Sequence, residues 1–65
     1  MNDQNQVSLD WQEAERHLQA VEEAYGSIGM AGSFALTLVI NPCRVRFNQG
    51  ERTQELYDEI MEIAL

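Results

Sequence analysis

The stretch that decides the fold runs Phe34-Ala35-Leu36-Thr37-Leu38-Val39-Ile40-Asn41-Pro42-Cys43-Arg44-Val45-Arg46-Phe47. Phe34, Leu36, Leu38 and Ile40 alternate with Ala35, Thr37 and Val39, a period of two that fits a half-buried strand over 34–40. Asn41-Pro42-Cys43-Arg44 reads as a turn, because Asn suits its first position and proline presets φ at the second. Residues 44–48 return as a second strand, with Val45 and Phe47 on the core side and Arg44 and Arg46 on the other. The predicted centre is an antiparallel hairpin.

Helices flank it on both sides. Asp10 is a candidate N-cap, with Glu13 three residues on to complete a capping box. Trp11, Ala14, Leu18, Val21 and Tyr25 then recur at spacings of three and four, the stripe of an amphipathic helix over 10–25. Gly26 reads as its C-cap. Gly26-Ser27-Ile28-Gly29-Met30-Ala31-Gly32-Ser33 reads as a loop anchored in the core by Ile28 and Met30. A second helix is expected over 52–64, with Leu56, Ile60 and Ile63 in one apolar row and Tyr57, Met61 and Ala64 in the next. Residues 1–8 read as a polar lead-in. The expected architecture is α+β, in the order α-β-β-α, with both helices packed on one face of a two-stranded sheet. A two-stranded sheet is barely stable alone, so both a monomer and a homodimer fit.

The chain is 65 residues long and 45% hydrophobic, with 11 Asp and Glu against 4 Arg and no Lys, a net charge of −7. That length allows one small domain. The charge excludes phosphate-backbone binding, which rewards Lys and Arg, and docking on anionic lipid. A basic surface is the expected partner, and such surfaces often belong to nucleic-acid-binding proteins. The longest apolar run, Leu38-Val39-Ile40, is too short to span a bilayer. A single Cys and a polar N-terminus without signal-peptide features fit the cytoplasm.

Catalytic and cofactor chemistry find no constellation. His17 is a lone histidine with Glu13 one turn before it, and no nucleophile, base and orienter can be assembled around it. Cys43 reads as a packing cysteine. His17 and Cys43 alone cannot make a zinc site. Gly26, Gly29 and Gly32 follow a helix, unlike the phosphate-binding glycine loops that precede one. No enzyme activity, metal or cofactor is therefore expected. Arg44 and Arg46 are expected to pair with carboxylates on neighbouring elements.

The acidic residues are clustered. Glu13, Glu15, Glu22 and Glu23 lie on the first helix. Glu55, Asp58, Glu59 and Glu62 lie at i, i+3, i+4 and i+7 on the last, so they share a face. Like charges so spaced repel by a few tenths of a kcal/mol per pair, and those near the helix C-terminus oppose the helix dipole. A departure of this kind from the stability optimum is where function is sought. Carboxylates four residues apart are ~6 Å apart along the axis, close to the spacing of successive phosphates on one nucleic-acid strand.

In size, charge and clustered carboxylates on these eight residues, the chain resembles the small acidic anti-CRISPR proteins of bacterial viruses that act as DNA mimics against type I surveillance complexes. The resemblance implies a non-catalytic cytoplasmic inhibitor that occupies the DNA-binding surface of an effector subunit. The alternative is an antitoxin-like or other small interaction module or subunit, with the acidic faces serving solubility alone.

Overall fold

The computed structural model describes residues 9–65, and the polar lead-in of residues 1–8 lies outside them. Helix α1 spans Trp11–Gly26. Helix α2 spans Met30–Ala35 and continues without a break through a π-helical segment, Leu36–Ile40, into α3, Asn41–Asn48. Helix α4 spans Gln54–Met61. The described residues are 75% helical and contain no strand, so the fold is a small all-helical bundle.

The expected α+β hairpin is thus overturned. Residues 34–40 and 44–48, taken as its strands, are parts of one helical rod over 30–48. The alternation that suggested a strand places Phe34 and Leu38 in the core, yet they are 62% and 71% exposed. The operative pattern is Gly32, Leu36, Ile40, Cys43 and Phe47, at spacings of four, four, three and four. That is a helical stripe, and all its members but the half-buried Leu36 are buried.

Pro42 does not end the rod. Within a regular α-helix, proline lacks a needed N–H and its ring strikes the carbonyl four residues back. Here the preceding turn is widened: the Asn41 amide donates to the carbonyl of Leu36, five residues back. Such π segments sit inside α-helices as local insertions. Pro42 then falls in the first turn of α3, where a missing N–H is tolerated. The expected turn at Asn41–Arg44 is therefore helical.

The caps follow local chemistry. Asp10 accepts a 3.1 Å hydrogen bond from the Glu13 amide, as its N-cap reading requires. α1 runs through Gly26 and ends at Ser27, whose hydroxyl donates to the carbonyl of Ala24. The expected loop over 26–33 shortens to 27–29, and Ile28 and Met30 are 59% and 76% exposed rather than core anchors. Gly50, at φ 96°, closes the rod. Its amide donates to Phe47 and the Glu51 amide to Arg46, each at 3.0 Å, which is a Schellman motif. Thr53 caps α4 by accepting from the Leu56 amide.

Three helical bodies enclose the core. α1 and the rod run antiparallel: Gly32 lies against Tyr25 at one end, and Trp11 lies 6.2 Å from Phe47 at the other. α4 runs beside α1 in the same direction, with Tyr57 edge-on to Trp11 at 5.4 Å. Ala14, Leu18, Val21, Ile40, Cys43, Phe47, Leu56 and Ile60 are the buried hydrophobic side chains. The C-terminal residues are tied to α1 by the side chains of His17, which bonds the carbonyl of Ile63 at 2.8 Å, and Tyr25, which donates to that of Ala64 at 2.6 Å.

Candidate functional site

α3 carries Arg44 and Arg46 two residues apart, so a 3.6-residue turn sends them to opposite flanks. Arg44 reaches α1, where its Nε and Nη2 meet both carboxylate oxygens of Glu22 at 2.8 and 2.7 Å. The pair is bidentate, the geometry that makes arginine–carboxylate contacts strong and directional. Arg46 reaches the other way. It bonds both oxygens of Glu51 at 2.9 and 2.5 Å and Glu59 at 3.0 Å, and it stands 3.9 Å from Glu55.

These contacts order the charge. Arg46 holds the Glu51 carboxyl down to about 2, helped by the Thr53 hydroxyl. Hydrogen bonds from Arg44 to Glu22 raise the guanidinium pKa further. Arg52 lies with its guanidinium 3.9 Å from the Phe47 ring centre and 5.2 Å from that of Trp11, and it donates to the carbonyl of Phe47. Three of the four arginines thus serve the fold.

The eight sequence-predicted binding residues divide accordingly. Glu22 and Glu59 are held in internal ion pairs on opposite flanks of α3, and Glu55 is 76% exposed at the edge of the Arg46 cluster. Asp58 accepts from the Gln54 amide, a contact within α4. Among the described residues, Glu13, Glu15, Glu23, Asp58 and Glu62 make no ion pair. Unmatched charge is thus left on both helices: Asp58 and Glu62, one turn apart, share a face of α4, whereas Glu13, Glu15 and Glu23 are spread around α1. Glu51, which sequence reasoning left out of the site, has the tightest arginine contact. The Gly50-Glu51 step that ends a helix is the signal that puts it beside Arg46.

Glu59 and Glu62 also border an open cleft of ≈ 390 Å³ whose other walls include Tyr25, Val39, Cys43 and Ile63. Cys43 is 2% exposed, and its Sγ lies 3.9 Å from Glu59 Oε1. Burial first, then the Glu59 charge, push the thiol pKa up. It is the opposite of an activated nucleophile, which needs a positive, accessible setting. Among the described residues no group of three or more His, Cys, Asp or Glu is placed to hold a metal ion, and no helix is long and apolar enough to cross a membrane.

Comparison with protein-family models, with curated proteins and with solved structures finds no match to this chain.

Proposed function

We propose that the protein is a non-enzymatic binding module whose carboxylates engage a basic, nucleic-acid-binding surface of a partner protein in the cytoplasm. One observation carries the reading: Arg44, Arg46 and Arg52 are all engaged within the fold, while Glu13, Glu15, Glu23, Asp58 and Glu62 are left outside any ion pair among the described residues. Uncompensated charge on a small rigid body steers association and sets specificity more than it adds affinity. In its most specific form, suggested by size and charge alone, the module is a DNA mimic that blocks DNA binding by a type I CRISPR surveillance complex.

The test is capture from a bacterial lysate at low salt, with elution by a salt gradient and by duplex DNA. The informative variant combines Glu55→Gln, Asp58→Asn and Glu62→Gln and leaves the Arg46 bonds to Glu51 and Glu59 in place. Loss of a salt-labile, DNA-displaceable partner with unchanged helical content supports the reading. Undiminished capture by that variant excludes α4 as the recognition surface.

A second reading, that of a subunit completed by association, is favoured by a different observation, the apolar side chains that the rod leaves in solvent.

A further inference from the structure

Residues 24–43 contain no charged side chain. They supply most of the rod, whose buried side faces α1 and α4. On its other side Met30, Phe34 and Leu38 follow one another at four-residue steps, exposed by 76%, 62% and 71%, and Val45 continues the line at 52%. Ile28, 59% exposed, lies off that line, beside Gly32 on the side that faces α1, whereas Val39, 49% exposed, lies on the line's edge. Helical spacing makes this a stripe along the rod. Exposed apolar patches beyond a few hundred Å² mark interaction surfaces.

We infer that this stripe is a homodimer interface, covered by the same stripe of a second copy of this chain. Three observations choose that occupant. The stripe offers no charge to pair, so the surface that fits it is itself apolar and uncharged, and this chain owns one. Each copy carries −7, which opposes any approach through the acidic helices. α1 and α4 lie behind the rod, so contact through the stripe keeps the acidic helices of the two copies apart. The area is that of a weak, concentration-dependent dimer: at on the order of 100 Å² per exposed side chain, Met30, Phe34, Leu38, Val45 and the edge residue Val39 of two copies bury about 1,000 Å² between them, the least that a specific interface needs. A two-fold pairing of like patches is also the commonest symmetric assembly.

This inference does not depend on the carboxylate-directed function, and salt separates the two. Screening like charge strengthens the dimer, whereas it weakens a bond between carboxylates and a basic partner. The experiment is sedimentation equilibrium of the full chain from about 1 to 100 μM, with circular dichroism on the same samples. The wild type is expected to sediment with the mass of two chains, more completely as salt is raised. Leu38→Glu buries a charge in the interface and is expected to raise the dimer dissociation constant ~100-fold or more, with the helical signal unchanged because Leu38 is outside the core. Phe34→Gln, milder and also at an exposed stripe position, is expected to shift the same equilibrium in the same direction. A wild type that is monomeric throughout overturns the inference. So does a Leu38→Glu dimer as tight as wild type, or a monomer whose stripe binds phosphatidylcholine vesicles instead.

Discussion

A Cβ placed on Gly32 would stand 1.7 Å from the carbonyl oxygen of Tyr25. The backbones of α1 and the rod therefore meet at van der Waals contact where the helical hairpin closes, and only a hydrogen fits between them. No other glycine in the chain is so confined. A Cβ on Gly26 would find its nearest neighbour, Leu36 Cδ1, at an ordinary 4.0 Å.

The two glycines predict opposite outcomes. Gly32→Ala must push the rod off α1, and overpacking of this kind costs about 1–3 kcal/mol, which outweighs the ~1 kcal/mol that alanine gains in a helix. Gly26→Ala takes that helical gain without a clash and raises stability by up to ~1 kcal/mol. Thermal unfolding followed by circular dichroism measures both. In a domain this small each kcal/mol moves the midpoint by about 4–8 °C. An unchanged midpoint for Gly32→Ala would show that the hairpin closes more loosely than this.

The same residue explains what the sequence made legible and what it hid. α1 was readable because Asp10, the 3–4 spacing of Ala14, Leu18 and Val21, and the break after Gly26 all agree on one helix. α4 was readable from Leu56 and Ile60, although it ends at Met61 rather than 64. The rod was misread because Phe34, Leu36, Leu38 and Ile40 satisfy two periods at once: 34 and 38, like 36 and 40, are also one helical turn apart. The period of two favours a strand, and Asn41-Pro42 favours a turn after it. Gly32 held the deciding information, since a small residue four before Leu36 opens a helical stripe that a strand has no use for. The acidic residues were all visible in sequence. Which of them Arg44 and Arg46 neutralise depends on the turn between those arginines, so it could not be read until they were placed on a helix.

The C-terminal strap gives a second prediction. His17 and Tyr25 hold the carbonyls of Ile63 and Ala64 from α1, and no other side chain among the described residues bonds those carbonyls. Combining His17→Ala with Tyr25→Phe removes both bonds. At about 0.5–1.5 kcal/mol per hydrogen bond, the double variant is expected to lose about 1–3 kcal/mol in urea unfolding. Amide exchange distinguishes the cause: residues 60–63 should lose protection while α1 keeps its own. Equal loss in both helices would mean that the strap supports the whole bundle rather than its end.

Acid should find the Arg46 cluster. The Glu51 carboxyl is lowered from its ordinary 4.5 to about 2 by Arg46. A depressed carboxylate binds fewer protons folded than unfolded, so its stabilising contribution is complete above about 4.5 and fades as pH falls toward 2. Wild type and Glu51→Gln are therefore expected to differ in unfolding midpoint at pH 7 and to converge by pH 2. Because the pair faces solvent, added salt should narrow the gap at pH 7. Parallel pH curves would place the contribution of Glu51 elsewhere than in its charge.

Cys43 reports on the core itself. Its thiol is buried beside Glu59, with a raised pKa, so the reactive thiolate is scarce and shielded. At neutral pH the folded protein should label with a soluble disulfide reagent far more slowly than the urea-unfolded chain, at a rate set by opening of the bundle. Gly32→Ala, which loosens α1 from the rod, should accelerate labelling in proportion to its loss of stability: about tenfold for each 1.4 kcal/mol, provided that exposure requires global opening. Glu59→Gln separates the remaining causes. It removes the charge that raises the thiol pKa and also an Arg46 contact. Faster labelling with an unchanged unfolding midpoint would therefore assign the effect to electrostatics at the sulfur, and faster labelling in step with a lower midpoint would assign it to opening of the bundle. Labelling of the folded wild type as fast as that of the unfolded chain would contradict the burial of Cys43 in the core cluster that includes Ile40, Phe47 and Leu56, and with it the placement of α3 in the core.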